Sequence, residues 1–222
     1  MDIIYESKKR KFDAINDNEN DNDNEYFVEP KKIKLFKNEN KMIYALDTEV
    51  HFTEQINKTT IETLIKKITK IINKYHDKYE GTNDKLNITY IVDSPGGCLS
   101  STFKFIDFIS LTKKKYPYIN FTSVITGCCA SACTLISIPT DKRQMTRLAS
   151  VMIHQLKSGR ESKFAEFMSY SKHLNNQHEK LVKIYLDNSN VTREQLENLL
   201  INETWMTPEE YKCYGFIDEI IG

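Results

Sequence analysis

"LNITYIVDSPGGCLSSTFKFIDFISLTK", Leu86 to Lys113, decides the fold. Leu86 to Ser94 reads as a strand that stops at "PGG". Pro95 fixes φ and forces a turn directly after it. Phe103, Ile106 and Ile109 then fall on one face of a helix. The same strand-to-helix unit occurs on both sides. Upstream, "MIYALDT" is a buried strand. Ile61, Leu64, Ile65, Ile68, Ile71 and Ile72 follow at 3.6-type spacing, a helix starting near Thr59. Downstream, "NFTSVITG" is a strand and "ASACTLISI" the helix after it. Alternation of this kind predicts an α/β fold with a mostly parallel sheet and right-handed crossovers. Active sites of such sheets gather at the carboxyl ends of strands. Two glycine-containing strand ends stand there, "DSPGG" and "TGCCASA".

Beyond them, "RQMTRLASVMIHQL" gives a turn or short strand and then a strand over Val151 to His154. "KFAEFMSYSKHLNNQHEKLVKIYLDNS" is a long helix. Thr192 is placed to cap a short helix, and Pro208 stands in the first turn of another before a terminal strand.

The 222 residues suit one domain of about 180 residues and a tail. Residues 1–40 form the tail. "DNENDNDNE", Asp17 to Glu25, cannot bury enough apolar surface to offset its ordering entropy, so the tail is expected to be disordered. It lacks the glycine of a calcium loop. "KKRK" and "KKIK" flank it and read as solvated, with a nuclear import signal as the other option. Order is expected from Lys41 to Gly222. The 31 basic and 31 acidic residues balance, which argues against a generic nucleic-acid partner. No stretch approaches the ~20 apolar residues of a membrane span, and no signal peptide is evident. A cytoplasmic protein is expected, with nuclear or organellar locations open. The five cysteines read as free thiols. No zinc-type spacing of Cys and His is found, so no metal and no cofactor are expected.

The chemistry-bearing candidates lie at the two strand ends. Gly96 and Gly97 let backbone N–H groups approach a ligand, as an oxyanion hole requires, or else they only make a tight turn. Ser131 follows a strand and Gly127, opens a helix, and has Ala130 and Ala132 as neighbours. It is either a helix N-cap or a nucleophile with the Ala132 amide as an oxyanion donor. Of the five histidines, His154 ends an apolar strand, and both a core residue and a general base fit that place. His51 is ambiguous; His76, His173 and His178 lie in polar helical contexts.

"YIVDSPGG", "ITGCCASACTLIS", "RLASVMIHQLKSG" and "WMTPEEYKCYGFIDEI" occur in the order seen in the proteolytic subunit of Clp protease. Over roughly residues 42 to 222 the chain resembles that family of serine peptidases, within the Clp/crotonase superfamily. The resemblance implies a ββα superhelix with a protruding handle helix, here Lys163 to Leu186. It implies Ser131 as nucleophile, His154 as base, and the Gly97 and Ala132 amides as the oxyanion hole. The family's third catalytic residue is an Asp; counting back from "WMT" the matching position is Glu203, with Asn202 beside it. Ala132 and Cys133 replace the Met and Gly that commonly follow the nucleophile, and Leu156 replaces a Pro.

The implied activity is that of an ATP-dependent serine endopeptidase. It would act on unfolded proteins or short peptides through an acyl-enzyme, as a self-compartmentalising homo-oligomer of heptameric or tetradecameric rings. The handle residues Phe164, Phe167, Leu174, Leu181 and Ile184 would be partly exposed in a monomer. An unfoldase ATPase is the implied partner, although residues 1–40 do not match the family's pore-gating segment. The alternatives are a catalytically inactive structural or regulatory subunit and, third, an acyl-CoA hydratase or isomerase of the crotonase branch.

Overall fold

The computed structural model describes residues 43–159 and 161–222. The tail expected to be disordered lies outside them. The described residues open with a hairpin, β1 (Ile43–Leu46) and β2 (Glu49–Phe52), paired antiparallel. This hairpin corrects the reading of a single strand followed by a helix. Its turn contains no glycine; Asp47 supplies the left-handed residue at φ 52°. Helix α1 (Lys58–Tyr79) follows, closed at its start by a capping box in which Asn57 accepts from the Thr60 N–H at 3.0 Å. Strand β3 (Leu86–Ser94), helix α2 (Leu99–Lys115) and strand β4 (Ile119–Ala130) come next.

Helix α2 buries Phe105 and Ile109 with Ser101, Thr102 and Thr112, whereas Phe103 and Ile106 are only partly buried. The expected apolar face is therefore rotated. The small hydroxyl residues can enter the core because their polar atoms are satisfied locally: Thr102 Oγ1 donates to Cys98 O at 3.1 Å. Short helix α3 (Ala132–Ser137), β5 (Lys142–Thr146) and β6 (Ser150–Ile153) precede the long helix α4 (Phe164–Asp187). Helix α5 (Arg193–Ile201), β7 (Thr204–Met206), α6 (Pro208–Cys213) and β8 (Glu219–Ile221) complete the chain. Thr192 and Thr207 cap α5 and α6 through capping boxes, with Pro208 in the first turn.

One sheet runs in the order β1-β2-β3-β4-β5-β8, with β6 added to β4 and β7 to β6. All pairings from β2 through β8 are parallel except β6 with β7, so the sheet is mostly parallel as expected. The branch at β4 positions the site. Its first part, Thr122 to Ile125, pairs β5, and its last part, Cys128 to Ala130, pairs β6. The β3–β4 register also shifts between Val92 and Ser94. Asp93 holds the irregular stretch, accepting the Cys128 N–H at 3.0 Å. Gly127 stands against that carboxylate with φ 55°; a Cβ there would lie 2.7 Å from Asp93 Oδ2.

The core is continuous across both sides of the sheet, from Val50, Phe52 and Leu64 to Leu196, Tyr211 and Phe216. Helix α4 is divided. Leu181, Val182 and Tyr185 are buried in its C-terminal half, while Phe164, Phe167 and Met168 are 80%, 51% and 54% exposed near its start. The expectation that Leu181 is partly exposed in a monomer is thus corrected: Tyr185 fastens this half of the helix to α3 through a hydrogen bond with Thr134 Oγ1.

Candidate active site

Strand β4 ends at Ala130, and the chain turns sharply into α3 through Ser131. Ser131 has φ 55° and ψ −126°, a region that a residue with a side chain rarely occupies. The surroundings hold it there. Its N–H donates to Met152 O at 2.7 Å, and its C=O accepts from Thr134 N at 3.0 Å and from Thr134 Oγ1 at 2.6 Å. Its side chain makes no N-cap hydrogen bond to α3. Ser131 Oγ is 2.7 Å from His154 Nε2 instead. His154 directly follows β6, which lies beside the end of β4, so the sheet itself sets the serine against the imidazole.

The "PGG" turn reaches the same place. A Cβ on Gly96 would sit 2.5 Å from Ala130 O and 2.9 Å from both Ala132 N and Ser131 Cβ. On Gly97 it would meet Ile56 O at 2.2 Å. Both glycines are therefore required by close backbone packing, Gly96 against the serine turn and Gly97 against the segment before α1. Ile56 N donates to Gly96 O at 2.7 Å and Cys98 N to Ile56 O at 2.8 Å, which clamps the turn without using the Gly97 N–H. Ser94 adds a further tie: its hydroxyl donates to Glu54 O at 2.6 Å and accepts the Gly96 N–H at 3.2 Å. The Gly97 and Ala132 N–H groups have no acceptor among the described residues. They are the two amides that the family resemblance implies as oxyanion donors.

Glu203 stands apart from this pair. The antiparallel register of β6 with β7 matches Ile153 to Thr204. One step further along that register, Glu203 is opposite His154. Both line a cavity of about 350 Å³ with Leu200, Ile201 and the Gln155–Ser158 segment. Yet the expected hydrogen bond from the His154 ring to the Glu203 carboxylate is not among those of the described residues. Glu203 is exposed and left-handed at φ 50°. Asn202 does not take its place, since its amide donates to Asn198 O at 2.7 Å.

A cavity of about 710 Å³ opens beside Ser131, Ala132 and His154. Its apolar wall includes Leu99, Leu135, Met152, Leu174 and Leu181, and Gln177 and His173 of α4 also line it. The Gln177 side chain contacts His173 at 3.2 Å and keeps a buried Oε1 without a partner. His173 is exposed, as its polar helical context implies, and also lines this cavity. His76 bonds Tyr118 Oη and His178 approaches Glu197, both away from the site. No group of three or more His, Cys, Asp or Glu side chains that could hold a metal occurs among the described residues. No helix among them is long and apolar enough to cross a membrane.

Sequence reasoning missed Asp93, Ser94 and Ile56 as positioning residues. The signal for the first two was a pair of polar side chains directly after the apolar run Tyr90 to Val92. Ile56 carried none, because its role is played by its backbone.

The family model described as Clp protease matches residues 37–222. An "ATP-dependent Clp protease proteolytic subunit 1" of Chlamydia abortus is 26% identical over 176 residues, covering 78% of this chain and 85% of the relative. An "ATP-dependent Clp protease proteolytic subunit" of Streptococcus suis is 32% identical over 149 residues, covering 65% and 72%. The corresponding protein of Streptococcus gordonii is similar to the same degree, 32% over 149 residues.

Proposed function

The chain belongs to the Clp protease family, and on that premise we propose that it is a serine endopeptidase that hydrolyses peptide bonds through an acyl-enzyme. The observation that carries the reading is the 2.7 Å contact between Ser131 Oγ and His154 Nε2 at a strained strand-to-helix turn. In this reading His154 takes the serine proton on Nε2, so its ring proton sits on Nδ1. Ser131 Oγ attacks the carbonyl carbon, and the carbonyl oxygen gains the negative charge. The Gly97 and Ala132 N–H groups, which lack other acceptors, are the donors for that charge. His154 then gives its proton to the leaving amine. A water molecule, deprotonated by His154, releases the acid and restores Ser131.

Glu203 is assigned as the carboxylate that orients His154. Its cross-strand position supports this, and the assignment requires a side-chain rotation toward the ring. Residues 41–222 form the catalytic unit in this proposal. The apolar residues at the start of α4 pack against other copies in rings, heptameric and stacked in pairs. Unfolded proteins and short peptides are the substrates, with long chains supplied by an ATP-driven unfoldase. The free thiols among the described residues fit a cytoplasmic setting.

The missing hydrogen bond between Glu203 and His154 favours one alternative, a subunit that keeps the fold but does not catalyse. Labelling with a fluorophosphonate separates the two. The proposal expects one covalent label per chain, on Ser131, and none on Ser131→Ala, together with hydrolysis of short fluorogenic peptides that the variant lacks. An unlabelled parent chain with intact fold would establish the non-catalytic reading.

A further inference from the structure

Two thiols bracket Ser131 in sequence and meet beneath it in space. Cys129, two residues before it, is paired with Ser94 of β3 on one side and with Val151 of β6 on the other. Cys133, two residues after it, lies in the first turn of α3. The left-handed backbone of Ser131 folds the chain back on itself between them. As a result both side chains enter the core on the same side, each 0% exposed, with their Sγ atoms 2.7 Å apart. A disulfide bond is ~2.05 Å long. Both cysteines are free. No zinc-like set surrounds them, and neither is used by the acyl-transfer steps above.

We propose that Cys129 and Cys133 form a reversible disulfide under hydrogen peroxide, and that its closure displaces Ser131. Oxidation proceeds in two steps. One thiolate sulfur attacks a peroxide oxygen and breaks the O–O bond, giving a sulfenic acid, with hydroxide leaving as water. The second thiolate attacks the sulfenic sulfur, the S–O bond breaks, and hydroxide again leaves as water. The two sulfurs together lose two electrons, and one peroxide becomes two waters. Both thiols are 0% exposed, so peroxide, which is small, reaches them only as the Ser131 turn opens. Burial, reinforced by the neighbouring Cys133, holds the Cys129 thiol well above the ordinary range, so the reaction is slow at neutral pH and quickens as pH rises.

Closure cannot be absorbed by β4, which is held in ladders on both sides at Cys129. The start of α3 must move, and it carries Ser131 and the Ala132 amide with it. A serine–histidine contact of 2.7 Å and an oxyanion amide tolerate little displacement. The loss of hydrolysis rests on the serine-peptidase reading; the bond itself does not.

The test uses the full chain with Cys98→Ser, Cys128→Ser and Cys213→Ser, so that only the pair remains. It is treated with hydrogen peroxide, unfolded, alkylated and digested, and compared with itself before treatment and after dithiothreitol. The expected result is a peptide holding Cys129 and Cys133 that is unalkylated and about 2 Da lighter, two hydrogens having left. Amide exchange at residues 131–134 should rise, and peptide hydrolysis should fall at least about tenfold, with recovery on reduction. Adding Cys133→Ala, or Cys129→Ala as the second choice, should remove the sensitivity. Alkylation of both thiols after peroxide, or sulfinic acids in place of the bond, would overturn the proposal. A bond that leaves both exchange and hydrolysis unchanged would do so as well. A chain with no hydrolysis before treatment would instead fail the serine-peptidase reading, while the mass and exchange results still judge the disulfide.

Discussion

His154 Nε2 lies 2.7 Å from Ser131 Oγ because β6 runs parallel to the last three residues of β4 and ends one residue before the histidine. The serine is bound to the same strand from its backbone, Ser131 N to Met152 O at 2.7 Å. One short strand therefore fixes both the turn that carries Ser131 and the imidazole that its hydroxyl meets. His154→Ala should leave the fold intact, since the residue is only half-buried. It should lower kcat for a short peptide by about a thousandfold or more with KM little changed. A variant within tenfold of the parent would remove His154 from the mechanism.

Gly96 tests how closely the Pro95–Gly97 turn packs on the serine turn. Gly96→Ala places a methyl group 2.5 Å from Ala130 O and 2.9 Å from Ala132 N, on a backbone at φ 87°. Neither neighbour is a flexible side chain. The expected outcome is a loss of roughly 2–3 kcal/mol of stability, with activity reduced more than the folded fraction explains. Chemical denaturation and active-site titration on the same sample measure the two effects. Unchanged activity per folded chain would show that the two turns act independently.

Arg143 and Asp218 join β5 to the segment that leads into β8. The Arg143 N–H and Nε donate to Asp218 Oδ2 at 2.8 and 3.2 Å, and Asp218 N donates back to Arg143 O at 2.8 Å. Partial burial tends to raise the Asp218 carboxyl, but the Arg143 hydrogen bonds and charge together outweigh it and hold it below its ordinary value. A carboxyl lowered in the folded state adds stability above its unfolded pKa of ~3.9, and that stability is lost as pH falls through the folded value. Asp218→Asn should thus lower Tm by about 2–5 °C at pH 7. The gap between variant and parent should narrow as the pH is brought down toward about 3. A gap constant over that range would mean that the carboxylate charge contributes nothing.

The start of α4 leaves Phe164, Phe167 and Met168 80%, 51% and 54% exposed, a larger apolar group than a lone surface helix needs. Replacing Phe164 and Phe167 by Glu should shift the parent assembly to smaller species in sedimentation at micromolar concentration. The secondary structure should stay unchanged. A parent chain that already sediments as a monomer would defeat the assembly proposal.

How much of this was legible depended on whether side chains or backbone carried the signal. The order of strands and helices from β3 to α4 follows from apolar spacing and from the glycines after two strands. The β1–β2 hairpin was not legible, because its turn uses Asp47 at φ 52° where a glycine would have marked it. The buried face of α2 was misjudged because Thr102 and Thr112 enter the core while Phe103 stays near the surface. At the site, Ser131 and His154 could be named from motif and context. The choice between N-cap and nucleophile could not be made from residue types, since both roles use a serine before a helix. What the structure adds is a torsion, φ 55°, and a hydroxyl that meets the imidazole and does not cap the helix, both of which support the proposed nucleophile.

Glu203 offers the most direct test of the third catalytic position. The β6–β7 register sets it opposite His154, on the cavity that the imidazole also lines, yet its carboxylate makes no hydrogen bond to that ring. Two outcomes are separable. If Glu203 turns inward when substrate fills the site, its charge fixes the Nδ1–H tautomer and stabilises the imidazolium formed during attack. Glu203→Gln then keeps the shape, removes the charge, and should cost about a hundredfold in kcat, on the order of 3 kcal/mol. Glu203→Asp should retain more activity than Glu203→Gln, because it keeps the carboxylate. Asn202→Ala should have little effect, since that amide is spent on Asn198 O. If Ser131 and His154 act as a dyad, Glu203→Gln and the parent will have equal kcat across roughly pH 6 to 9. Equal rates in a chain that still takes the fluorophosphonate label would remove Glu203 from the site and leave the imidazole oriented by β6 alone.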